Sequence, residues 1–381
     1  MKLRLVCLFG VLLVLGSAVL SVCRDRDTHQ PPAASAVVLQ ADSTSTATTP
    51  TYVGRQVCKE CHAENYELHS HHGHASTLAR IAGDLDLVNK FAGKSFDAGE
   101  PYGTFTYHRD EQGGLFARLP HKFGDQPFPL QFALGSGHHG VSLVWLFPDA
   151  DGSTVAIAER VSWFPSPEGG RLGISPGHPG KKPREEVEFF GATARGEPLD
   201  KCIYCHTTTA RIANQDIVDL VPSVNCEKCH GPGSEHVRQA RADPNPPPFS
   251  VGRADWDIES ELQLCGDCHR LPKSISRSDL REYPDLLARF QPIGLLRSRC
   301  YLESEAQLRC TTCHNPHATL ETTTLTEHEQ NCIACHQEES QDHVACPESP
   351  REGCIECHMP PLSHEEGLKF HDHWIRVRAD R

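Results

Sequence analysis

The chemistry of this chain is concentrated in one pentapeptide pattern, Cys-x-x-Cys-His. It occurs at Cys58, Cys61 and His62; at Cys202, Cys205 and His206; at Cys226, Cys229 and His230; at Cys265, Cys268 and His269; at Cys310, Cys313 and His314; at Cys332, Cys335 and His336; and at Cys354, Cys357 and His358. Two cysteines one helical turn apart present both sulfurs to the vinyl groups of a haem, and the adjacent histidine is placed to bind the iron from below. Paired C-x-x-C units also build tetrahedral zinc sites, but zinc gives no reason for a histidine after every second cysteine. Seven copies in 381 residues far exceed what composition alone produces. The pattern predicts seven covalently attached c-type haems.

A haem iron has a second axial position, and its ligand sets much of the potential: methionine with histidine raises it, whereas two histidines leave it lower. The chain has two methionines, Met1 and Met359. Met359 directly follows His358 and is too close to reach the far face of the same haem. Histidine is plentiful, with seventeen of twenty-four outside the seven motifs. In "CTTCHNPH" His317 lies three residues past His314. That tether cannot pass around a porphyrin edge to the opposite face, but it can reach an adjacent haem, so His317 reads as a staple between two macrocycles. His236 follows a Gly-Pro-Gly turn in "CEKCHGPGSEH", and His364, His371 and His373 in "CHMPPLSH" and "FHDHW" offer further caps. The cluster "HSHHGHA" adds His69, His71, His72 and His74. His138, His139 and His178 sit in Gly-flanked turns and read as structural.

Stepping outward, Lys2 and Arg4 precede an uncharged run from Leu5 to Val22, so residues 1–23 read as a secretory signal or a retained membrane anchor. Either one exports the protein to the periplasm or another extracytoplasmic space, where cytochromes c are assembled. Cys23 is a weak match to a lipoprotein cleavage site, because valine is unusual before the cysteine. Cys7 and Cys23 fall in the leader and fourteen of the eighteen cysteines in the motifs, which leaves Cys300 and Cys346 either to pair or to stay separate buried thiols. Residues 24–51, rich in Ser, Thr, Ala and Pro, read as a tether that holds the body away from the membrane. The first haem-binding segment covers 52–80. Residues 81–198 hold short aromatic and β-branched runs such as "YGTFTYH", "VSLVWLF" and "STVAIAERVSWF", which predict strands and hairpins.

Six motifs then crowd into 199–381, at spacings too short for conventional domains with apolar cores, so porphyrins must fill the core there. "DPNPPP" from Asp243 to Pro248 marks an exposed loop, and the unequal motif spacings argue against a solenoid. The predicted fold class is a mostly α and irregular multihaem cytochrome c fold organised around stacked haems, with a β-rich insert between the first and second haem motifs. The formal charge of −13, deepened by haem propionates, disfavours nucleic acid and points to redox protein partners with a basic docking surface. The cationic tail "HWIRVRADR" reads as a local salt-bridging segment.

The segments "YVGRQVCKECHAENYELHSHHGHAST", "CEKCHGPGSEHV", "SRCYLESEAQLRCTTCHNPH" and "CIECHMP…FHDHWIR" together resemble the multihaem cytochrome c superfamily that includes the tetrahaem electron acceptor of hydroxylamine oxidoreductase, that oxidoreductase itself and the pentahaem nitrite reductases. The likeness covers most of the chain after the tether. It implies distal ligands at His74, His236, His317 and His373. Two departures matter. The C-x-x-C-K motif that usually holds the catalytic haem of the nitrite reductases does not occur, and the oxidoreductase's eighth haem and cross-linked tyrosine have no counterpart here. The favoured reading is an electron carrier with six-coordinate irons. The alternatives are a multihaem oxidoreductase of a small nitrogen or sulfur compound at one five-coordinate haem, and a haem-storing or structural protein.

Overall fold

The computed structural model describes residues 49–178, 182–243, 245, 257–282, 287–304, 308–336, 345–364 and 367–378. The leader, the tether up to Thr48 and most of "DPNPPP" lie outside the described residues. Among the described residues no helix is long and apolar enough to cross a membrane.

Helices α1 (Arg55–Lys59) and α2 (Ala63–His71) carry the first motif and its histidine cluster. A strand-rich region follows: β1 (Leu78–Arg80), α3 (Leu85–Phe91), β2 (Ser95–Asp97), β3 (Thr104–Arg109), β4 (Leu115–Arg118), α4 (Pro120–Phe123), β5 (Phe128–Leu130), β6 (Phe132–Leu134), β7 (Val141–Pro148), β8 (Thr154–Phe164), β9 (Arg171–Ile174) and β10 (Gly191–Arg195). They form two antiparallel sheets, one in the order β1-β6-β7-β8-β10 with β9 also on β8, the other β2-β3-β4-β5. The second sheet alternates strictly: Phe105 and Tyr107 of β3, and Leu115 and Ala117 of β4, point inward. They share a core with Leu143, Ile157, Val161 and Trp163 of the first sheet. β8 is buried along nearly its whole length, the pattern of a strand covered on both faces.

The second cover comes from the chain beyond residue 198. α5 (Glu197–His206) is followed by the hairpin β11 (Thr207–Ala213) and β12 (Asp216–Pro222). Leu199 and Ile203, one helical turn apart, pack with Ile217 against Leu78, Phe132, Val144, Leu146 and Ala156. Strand structure thus runs past both edges expected of the β-rich stretch, from Leu78 to Pro222. The physical reason is that the helix of the second motif spends its apolar face on the sheet.

The remaining elements are short: α6 (Cys226–His230), α7 (Ser234–Ala242), α8 (Ile258–His269), α9 (Arg277–Glu282), α10 (Gln291–Leu295), α11 (Arg299–Glu303), α12 (Cys310–Cys313), α13 (Leu325–Ile333), α14 (Cys354–His358) and the hairpin β13 (Pro361–Ser363) with β14 (Lys369–His371). Past Asn225 the buried apolar side chains other than proline among the described residues are Leu271, Leu287, Ala288, Ile293 and Ala318, and neither apolar cluster extends there. Aliphatic packing does not organise this half.

Candidate haem centres

Each motif is a helical turn. The backbone N–H of His62, His314 and His336 donates to the carbonyl of the first cysteine of its own motif at 2.9 Å, which puts the imidazole one turn beyond that thiol on the same side of the chain. α6 and α14 are the third and seventh motifs themselves, while α5 and α8 end in the second and fourth.

Two imidazoles bound on opposite faces of one iron, through nitrogens about 2 Å from the metal, have ring centroids about 6 Å apart. Four motif histidines face another histidine at that separation. His62 faces His236 at 6.3 Å with ring planes 22° apart, and His230 faces His317 at 6.0 Å and 13°. His269 faces His74 at 6.1 Å and 59°, and His314 faces His373 at 6.1 Å and 35°. His317 is therefore across from the third motif, while its sequence neighbour His314 is across from the C-terminal segment. Among the described residues no second imidazole is placed across from His206 or His358. His336 is exposed, and the ring contact of His364 is edge-on to Phe370 at 5.1 Å.

The far nitrogens of four of these histidines are held. Nδ1 of His206 meets the Thr77 carbonyl at 2.9 Å, Nδ1 of His358 that of Arg376 at 3.1 Å, and Nδ1 of His373 that of His371 at 2.9 Å. Nδ1 of His269 meets Oε1 of Gln291 at 3.2 Å. An Nδ1–H donated to oxygen leaves Nε2 with its lone pair for a metal. Burial favours the same neutral form: it pulls His74 down to about 3 and His314 to about 4, and lowers His206, His269 and His373. Donors come in twos: among the described residues no three His, Cys, Asp or Glu side chains converge as a metal ion's own ligand set would require. Facing imidazole pairs beside thiol pairs fit haem.

α10 braces two of these centres. Gln291 holds His269, and Gly294 lies under the His373–Trp374 backbone so closely that a Cβ there would clash with Trp374 N. Fully buried Ser298 donates to the His373 carbonyl at 3.0 Å and accepts from Ile375 N at 2.8 Å. None of these residues was visible from the sequence, because their contacts are with atoms distant along the chain. His328 was also missed; its ring lies 5.8 Å from that of His314, whose buried Nδ1 has no partner.

The other histidines sit elsewhere. His69 is buried and stacks on His72 at 6.0 Å, His72 accepts from the His74 N–H, and His71 pairs with Glu67 at the surface. His139 packs on Phe370 at 5.4 Å, and His138 lies in the same exposed turn. His178 is a core residue that accepts from Ala192 N and meets the Ser175 carbonyl. His371 meets the Met359 carbonyl at 2.7 Å. Arg376 and Arg378 of the tail both pair with buried Asp372. Cys300 and Cys346 are free thiols.

Residues 181–231, which contain the second and third motifs, match the family described as cytochrome c554 and c-prime. The family match and the seven motifs support a multihaem cytochrome c. No curated protein matches the chain. Among solved structures, the outer cell wall cytochrome OcwA is 17% identical, with 86% of this chain and 80% of that chain covered and a TM-score of 0.45.

Proposed function

We propose that the chain is an exported electron-transfer cytochrome carrying seven c-type haems on Cys-x-x-Cys-His motifs, with most irons held between two histidines. The observation that carries this reading is the set of four facing imidazole pairs at 6.0–6.3 Å, each joining one motif histidine to one histidine outside the motifs. A bound haem supplies one reversible electron per iron; what the protein supplies is axial ligation, burial and proximity. Proximity is supported by thiols of different motifs that lie close enough to interact: Cys58 with Cys226, Cys205 with Cys268, Cys265 with Cys310 and Cys332 with Cys354. With α12 packed on α13, these contacts order the motifs as a path from the fourth through the fifth to the sixth and seventh, the second branching from the fourth.

The seventh-motif end fits a cationic redox partner. Residues 325–366 hold ten carboxylates and one arginine, nine of the thirteen net negative charges of the chain. Cys335, His336 and Cys357 are exposed there, as are Glu348, Glu352 and Glu356. An extracytoplasmic location and tethering through the N-terminus complete the reading.

EPR of the oxidised protein tests it. Nearly parallel imidazole planes at His62/His236 and His230/His317 and crossed planes at His74/His269 predict two distinct low-spin signals. Mass spectrometry should show seven attached haems; a zinc-loaded, haem-free mass would sink the proposal. A second reading, an oxidoreductase with an open iron, is favoured by His206, which is half-buried, anchored through Nδ1 and faced by no imidazole among the described residues. A high-spin ferric signal, with carbon monoxide binding one iron per reduced chain, would support that reading over a pure carrier.

A further inference from the structure

Among the described residues three glutamates are buried in the motif-bearing half, and each bonds to the chain of a different motif. Glu227, inside the third motif, accepts through Oε1 from Val53 N at 2.8 Å and Gly233 N at 2.9 Å, and through Oε2 from Gly54 N at 2.8 Å, at the entry to α1 and the first motif. Glu261 of α8, four residues before Cys265, accepts from Thr311 N at 2.8 Å and Thr311 Oγ1 at 2.9 Å, inside the fifth motif. Glu329 of α13, three residues before Cys332, accepts from Gly353 N at 3.2 Å and Ile355 N at 3.0 Å, at the start of the seventh. Their exposures are 4%, 2% and 6%. In each case both carboxylate oxygens are engaged, and the donors include N–H groups at or near a helix entry, which have no partner within the helix. Hydrogen bonds to an ionised, buried carboxylate are about twice as strong as neutral ones.

We infer that Glu227, Glu261 and Glu329 are positioning residues that lock the haem motifs into three pairs, first with third, fourth with fifth and sixth with seventh, and leave the second motif outside the scheme. A second observation agrees pair by pair. In all three a thiol of one motif lies close enough to a thiol of the other to interact with it: Cys58 and Cys226, Cys265 and Cys310, Cys332 and Cys354. The second motif also makes a thiol contact, Cys205 with Cys268, but its helix is held by apolar packing on the sheet. Each carboxylate does two jobs: it fixes the separation of two haems, and it places a negative charge beside both, which favours their oxidised forms. The glutamates stand at different offsets from their cysteines, so no sequence pattern announces them.

The inference rests on the seven-haem reading, and haem mass separates the two: fewer than seven haems on the parent protein counts against that reading, not against the clamps. The test replaces Glu261 by Gln and by Ala, with Glu303→Gln at an exposed site of α11 as control. Spectroelectrochemical titration and Soret circular dichroism are recorded on each. Glu261→Gln keeps one acceptor oxygen and removes the charge. It should keep the exciton coupling, retain seven haems and raise the potentials of two of them, by up to about tenfold in the reduction equilibrium, or about 59 mV. Glu261→Ala should raise the same two potentials and also lose one component of the Soret coupling. Potentials equal to the parent's, a shift spread evenly over all haems, or Soret coupling unchanged in the alanine variant would overturn the proposal. If Glu261→Ala does not fold, the Gln variant's two-haem shift decides.

Discussion

Replacing His317 with alanine removes one imidazole and touches no thioether. The expected result is a protein with seven haems in which one iron has changed from low-spin to high-spin. That iron should be the one held by His230, because His317 faces His230 and not its neighbour His314. EPR reads the change. A fully low-spin spectrum with no substitute ligand would remove His317 from the site. At this scale the sequence is legible where covalent chemistry dictates spacing, as in the thiols and the histidine that follows them. Which histidine faces which is set by tertiary distance: His314 and His317 are three residues apart yet face His373 and His230. The supports Thr77, Gln291 and Ser298 act through carbonyls, hydroxyls and amides that any sequence contains, so no residue type gives them away.

Short elements act here as braces. Gly294→Ala in α10 would drive a methyl group into the backbone of His373 and Trp374. The expected outcome is a shift or loss of the low-spin signal from the His314/His373 centre, with stability lowered by about 1–3 kcal/mol, the usual cost of overpacking. EPR and thermal unfolding check it; an unchanged spectrum would mean that the C-terminal segment moves freely away from α10. In β8, Glu159 is wholly buried, accepts from Tyr107 Oη at 2.7 Å and leaves Oε2 without a partner. Burial holds its carboxyl well above the ordinary value of 4.5. The unfolded chain therefore releases a proton above 4.5 that the folded chain keeps, and stability falls as pH rises from that value toward the folded pKa. Glu159→Gln has no proton to lose. Its stability relative to the parent should grow by up to about 1.4 kcal/mol per pH unit over that window. Melting curves at pH 4 and pH 7 test this, and a difference independent of pH would show that Glu159 is ionised in the fold. The strands themselves were legible from alternation. Their union with α5 was not, because Leu199 and Ile203 belong to a helix whose cysteines and histidine announce a different task.

Across the whole molecule, charge and core composition are unevenly spread. With nine of thirteen net negative charges in residues 325–366, reduction of the seventh-motif end by hexaammineruthenium should be fast and should slow steeply with salt, as the Debye length shrinks from about 10 Å at 0.1 M to about 3 Å at 1 M. Ferricyanide, an anion, should show the opposite trend in stopped-flow oxidation. Equal salt dependence for both reagents would mean that electrons leave elsewhere. The uneven core has a different consequence, for biosynthesis under scarce iron. The sandwich from Leu78 to Pro222 owns two apolar cores, whereas the chain past Asn225 has five buried apolar side chains besides proline among its described residues. A cell short of haem should therefore export a half-finished protein: a compact N-terminal portion that survives a protease, trailing a C-terminal portion that is trimmed back to about residue 225. Quality control would recognise iron starvation as a truncated cytochrome of defined length, and not as an insoluble one.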